Sequence, residues 1–204
     1  MPSETYKLFL DSMVMDFDKW HDGISYDLEV LGQLESEERD SIEELLIKNL
    51  KHAGNWRDVE ALAALGTASA FAAVDKARVH NNTKVRKYAL RIWLDTQDSK
   101  DMTKKDISEL EEQVVLAVKH GDFEIAERMP TIRVKKALLD SILSVEYNSE
   151  IRISAVAFLL YLCGQAPEPF DWSQRPFFLL FSSSKRDPKM LQQAWEHLRK
   201  RTGL

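Results

Sequence analysis

Residues 16–23, DFDKWHDG, gather three carboxylates, a histidine and a tryptophan within one short segment. Alternating acidic residues suggest a calcium loop, which needs oxygen donors at its first, third and fifth positions and then a glycine. Here the fifth position is Trp20 and the sixth is His21, so that chemistry fails. Asp16, Asp18 and Asp22 read instead as solvated carboxylates on a helix whose other face carries Phe17 and Trp20. The histidines at 21, 52, 80, 120 and 197 fall in separate segments. At helix C-termini, His52 and His120 serve as cationic caps without any metal. The chain contains no His-Glu-x-x-His pair, glycine-rich phosphate loop or nucleophile elbow. Cys163 lies in an apolar helical segment, where desolvation raises a thiol's pKa and blunts its reactivity. No catalytic residue, metal site or cofactor site is assigned, and the chain reads as a non-enzyme.

The totals bound the class of protein without choosing its function. A chain of 204 residues fits one domain and at that size buries about 70% of its unfolded surface. A net charge of −5 opposes adhesion to nucleic acid or anionic lipid and suits a basic protein partner. With one cysteine no intramolecular disulfide can form, which fits a reducing, cytoplasmic setting. Glu4, Asp11, Asp16 and Asp18 interrupt the N-terminal segment, so no secretory leader is expected. The longest apolar tract, Ile153–Gly164, is shorter than the ~20 residues of a membrane span. A monomer without membrane contact is expected.

Helical periodicity organises nearly the whole chain. Tyr6, Phe9, Leu10, Met13, Phe17 and Trp20 recur at three- and four-residue steps, with Ser3 as N-cap and Glu4 in the first turn. The segment 36–54 opens acidic, closes basic and ends at Gly54, with Ile42, Leu45, Leu46 and Leu50 as its buried stripe. Asn55 and Asp58 have capping-box spacing, as do Thr103 and Asp106. Thr67 and Asn82 read as caps, Asp122 opens a short helix that Pro130 stops, and further helices are expected near 131–145 and 149–163. Only Phe177–Phe181 leaves helix and strand undecided.

Two helical segments superpose in sequence. KVRKYALRIWL from Lys84 and EIRISAVAFLL from Glu150 align Val85 with Ile151, Arg86 with Arg152 and Ala89 with Ala155. Their offset of 66 residues is two steps of 33, a period typical of stacked helical pairs. DVEALAAL resembles the same half-repeat, with Val59 and Ala63 in the roles of Val85 and Ala89. The segment 149–163 is apolar nearly all round and must be covered on several sides.

These half-repeats, Val-Arg-x-x-Ala in outline, resemble HEAT-type solenoids over roughly Trp56 to Gly164. The resemblance implies an all-α, right-handed α-α superhelix: N-terminal helices over 1–54, repeats over 55–164 and a C-terminal helical cap over 165–204. It also implies an acidic side chain ahead of the half-repeat arginine; Glu146 fits before Arg152, whereas His80 stands before Arg86. WHDGISYDLEVL, NWRDVEALAALGTASA and PEPFDWSQRPFFLLF resemble, more narrowly, a group of bacterial HEAT-repeat proteins, some of which look like immunity proteins. That resemblance implies a protein that occludes a cognate toxin. HEAT-like DNA glycosylases are the alternative, with Trp56, Trp93, Arg91 and Asp95 as the residues to hold DNA. The acidic balance opposes it, because phosphate binding wants a basic stripe.

A partner-binding face is therefore sought on the polar stripe Lys84, Lys87, Arg91 and Asp95, with Arg57 and Asp58, and with Glu124, Glu127 and Arg128 on the short helix. Trp56 is left between packing beside its cap and acting as an exposed anchor. The stretch Gly164–Ser184 holds three of the six prolines. It reads as a cap over the end of the stack: Gly164 ends a helix, Pro167 and Pro169 hold an elbow, Ser173 caps a short helix with Pro176 in its first turn, and Asp187 and Pro188 launch the last helix.

Overall fold

The computed structural model describes residues 2–52, 54–96, 103–144, 148–182 and 188–204, and every regular element among them is helical. Phe177–Phe181 resolves accordingly into helical turns. The chain forms two compact units, residues 1–97 and residues 98–204.

The first unit contains α1 (Glu4–Met13), α2 (Phe17–His21), α3 (Leu28–Leu31), α4 (Ser36–His52), α5 (Trp56–Leu65), α6 (Ala68–Ala77) and α7 (Thr83–Thr96). Its centre is α5, which packs against α3, α4, α6 and α7. Val59, Ala61 and Leu62 of α5 are fully buried, and the small Ala61 lets the neighbouring helices approach closely. Ile42 and Leu46 from α4, Val74 from α6, and Val85 and Ala89 from α7 complete the core.

Capping chemistry sets the boundaries. Ser3 Oγ accepts from the Tyr6 N–H, Thr67 from Ala70, and Asn82 Oδ1 from Lys84 at 2.9 Å. Asn55 and Asp58 form the expected capping box. Glu43, only 8% exposed, accepts from Thr67 Oγ1 at 2.7 Å and from Ser69 Oγ, tying α4 to the start of α6.

The N-terminal segment departs from its periodicity. The apolar repeat predicts one stripe from Tyr6 to Trp20, but α1 ends at Met13 and Val14 is extended. The Asp16 carboxylate then accepts from the Lys19 N–H and starts α2 as a separate helix. A capping side chain satisfies an orphan donor only at a helix start, so Asp16 breaks the run. Phe17 and Trp20 are consequently 72% and 65% exposed.

The second unit contains α8 (Lys104–Lys119), α9 (Ile132–Ile142), α10 (Ser149–Leu162), α11 (Arg175–Phe178) and α12 (Pro188–Thr202). Helix α9 lies against both α8 and α10. Helix α10 buries Ala155 through Leu160 and is covered by α9, α11, α12 and the turn Leu179–Phe181, the several-sided cover its composition demands. Thr103 and Asp106 cap α8 in a box, and Gly164 follows α10 at φ +68°.

Two expected details change. Residues 124–127 form a 3-10 turn without a side-chain cap, and Asp122 is buried rather than capping an exposed helix. Asp171, not Ser173, caps the turn at Trp172–Gln174, because its Oδ1 accepts from the Ser173 N–H at 2.9 Å. The expected roles of Glu146 and Asp187 lie outside the described residues.

Candidate binding groove

The residues proposed from sequence for a partner face divide in three. Lys84 and Asp95 at the ends of α7 are exposed, while Lys87 and Arg91 between them are half-buried, so the solvated stripe is interrupted. Glu124, Glu127 and Arg128 are exposed in the second unit. Arg57 and Asp58 are 4% and 2% exposed, so neither is a solvated charge of an open polar face, and of the two only Arg57 lines the groove. Capping-box geometry explains Asp58, since a carboxylate at the third helical position turns back to its own N-terminus.

Asp58 is held by three groups. Its Oδ1 accepts from the Tyr26 hydroxyl at 2.9 Å and its Oδ2 from the Asn55 N–H at 3.2 Å, with the Arg57 charge close by. Burial outweighs these and raises the Asp58 carboxyl above its ordinary value. The Tyr26 phenol is pushed well above its usual range, first by burial and then by the neighbouring Asp58 charge.

Arg57 points the other way along the same turn. Its Nε donates to the Ile24 carbonyl at 2.5 Å and its Nη2 to the Lys19 carbonyl at 3.2 Å, so it fastens the loop around α2 to α5. Its guanidinium lies 4.5 Å from the centroid of the Trp56 ring. Among the described residues no carboxylate forms a salt bridge with it, and its Nη1 donates no hydrogen bond. Its charge acts instead on the adjoining Asp58 carboxylate, whose ionised form it favours.

Around Arg57 opens a groove of about 540 Å³ lined by Trp20, His21, Gly54, Asn55, Trp56, Asn82 and Lys84 as well. None of these lining residues is acidic. Trp56, 7% exposed, is a packed wall rather than an exposed anchor: Tyr88 stands 4.5 Å from its ring, and Lys84 Nζ is 5.0 Å from its centroid. The N-termini of α5 and α7 both end at the groove through their caps Asn55 and Asn82. Asn82 Nδ2 donates to the Gly54 carbonyl at 3.1 Å, and the Asn82 N–H donates to His80 Nδ1 at 3.0 Å. This lattice joins the loop before α5 to the loop before α7.

The sequence signals for Arg57 and Lys84 were their charge alone. Trp20, His21 and Asn82 escaped notice as groove residues, since each has a sufficient local role in helix periodicity or capping. Trp93, a candidate for holding DNA, is half-buried with the Arg78 guanidinium 4.3 Å from its ring centroid. Cys163 is half-buried and its thiol is raised by burial. Among the described residues no helix is long and apolar enough to cross a membrane, and no group of three or more His, Cys, Asp or Glu side chains is placed to hold a metal. No family model, curated protein or solved structure matches the chain.

Proposed function

We propose that this chain is a non-enzymatic protein-binding module built from HEAT-like helical pairs, and that its sharpest role is that of an immunity-type protein occluding a toxin. The observation carrying the binding reading is the groove beside α2, where the exposed ring of Trp20 adjoins buried Trp56 and Arg57 and exposed Lys84. Aromatic and arginine side chains gathered in one concavity are what protein interfaces use as anchors.

The HEAT-like reading draws support from the two matched half-repeats. Arg86 donates to the His80 carbonyl at 2.7 Å, and Arg152 donates to the Ser144 carbonyl at 3.1 Å. Each arginine therefore ties its helix to the loop before it, and Val85, Ala89 and Ala155 beside them are fully buried. The acidic net charge favours a basic toxin domain through long-range attraction. The immunity role itself rests on the resemblance of sequence.

A photoreactive phenylalanine analogue in place of Trp20 tests the binding reading in the source cells. The expected outcome is one predominant cross-linked protein that, once purified, forms a stoichiometric complex with the full chain and loses its toxicity there. A captured protein that forms no complex when purified, or a cross-link to nucleic acid, overturns the reading.

A further inference from the structure

We infer that the groove contains a carboxylate subsite, built from Arg57 and Lys84 at the meeting of the α5 and α7 N-termini, that takes an acidic side chain of the bound protein. The inference rests on the protein-binding reading and specifies the chemistry of its anchor. Two independent observations converge on it. The first is the side-chain pair: exposed Lys84 stands beside Arg57, which is 4% exposed, donates through Nε and Nη2 to backbone carbonyls, lies by the Asp58 carboxylate, and has an Nη1 that donates no hydrogen bond among the described residues. A guanidinium so placed gains most from a carboxylate, which can accept two of its N–H groups side by side. The second is the backbone: helices α5 and α7, 10 and 14 residues long, direct their positive ends to the same concavity.

The occupant follows from charge and shape. The chain is acidic overall, yet the groove-lining residues include two cations and no carboxylate. A polyanion would meet the repulsion of the whole chain, whereas a single acidic side chain on an otherwise basic partner would meet both fields favourably. The exposed Trp20 ring at the groove edge suits an apolar neighbour of that acidic residue. Peptide is thus preferred over nucleotide or free phosphate.

The test is an NMR titration of the isotope-labelled full chain with an acetylated, amidated Gly-Glu-Phe-Gly peptide, its Gln counterpart, and inorganic phosphate. Saturable shifts are expected at the Trp20 and Trp56 indole N–H groups and the Arg57 and Lys84 amides. Binding should weaken roughly tenfold for the Gln peptide and by a similar factor in Lys84→Glu, an exposed change that leaves the thermal midpoint in place. Arg57→Ala is unsuitable alone, because Arg57 also fastens the Lys19 and Ile24 carbonyls. Equal binding of both peptides, saturation by phosphate alone, or no saturable shift overturns the subsite. If the cross-linked partner binds Lys84→Glu as tightly as the wild type, the subsite fails while protein binding stands. Failure to find any partner removes the binding reading instead.

Discussion

Asp58 combines a capping role with burial, and the two pull its proton affinity in opposite directions. Hydrogen bonds from Tyr26 and Asn55 favour the carboxylate, but burial is the larger influence and raises its pKa above the ordinary 3.8. A group whose folded pKa lies above its unfolded value contributes stability that is complete below the unfolded value. That contribution is lost as pH rises through the folded value. Wild type should therefore lose stability relative to the always-neutral Asp58→Asn as pH increases from 3.8 through the raised value, read from paired urea melts. A difference independent of pH contradicts the assignment. Tyr26→Phe removes a donor from a buried carboxylate and should cost about 1–3 kcal/mol at neutral pH in the same melts. The charges and the Asn55–Asp58 spacing were legible in the sequence. Burial of Arg57 and Asp58 was not, because it depends on Tyr26, Lys19 and Ile24 arriving from a different part of the chain.

Helix ends do most of the positioning at the next scale. Gly54, buried at φ +61°, precedes α5, and a Cβ there would run into the His80 ring. Gly54→Ala should cost about 2–3 kcal/mol, combining left-handed backbone strain with that collision. His80→Ala in the same chain should return the collision part and leave the strain, a coupling that a double-mutant cycle measures. Strict additivity of the two changes contradicts the contact. Most caps were readable from residue type, since Ser, Thr, Asn and Asp satisfy the same orphan amides wherever a helix begins. The break between α1 and α2 was not, because apolar periodicity runs straight through it and only the Asp16–Lys19 bond reveals it. That break leaves Phe17 and Trp20 exposed instead of packed.

Across the whole molecule the sequence made the all-helical class plain, since helical periodicity and caps recur in both compact units. The groove was hidden for a topological reason: its side chains come from α2, α5 and α7, separated by dozens of residues and joined only by folding. Net charge does not describe the groove, because a chain of net charge −5 carries a concavity lined by Arg57 and Lys84 and by no carboxylate. Long-range attraction and local recognition can therefore favour opposite charges on one partner. The central claim is that this concavity is the protein-binding surface. Its most direct test is calorimetric titration of the purified cross-linked partner into full-length wild type and Trp20→Ala. Trp20 is 65% exposed, so its loss should leave stability within about 0.5 kcal/mol. Binding through the groove predicts a loss of about 2 kcal/mol, roughly 30-fold in affinity. An unchanged dissociation constant with the fold intact would contradict it.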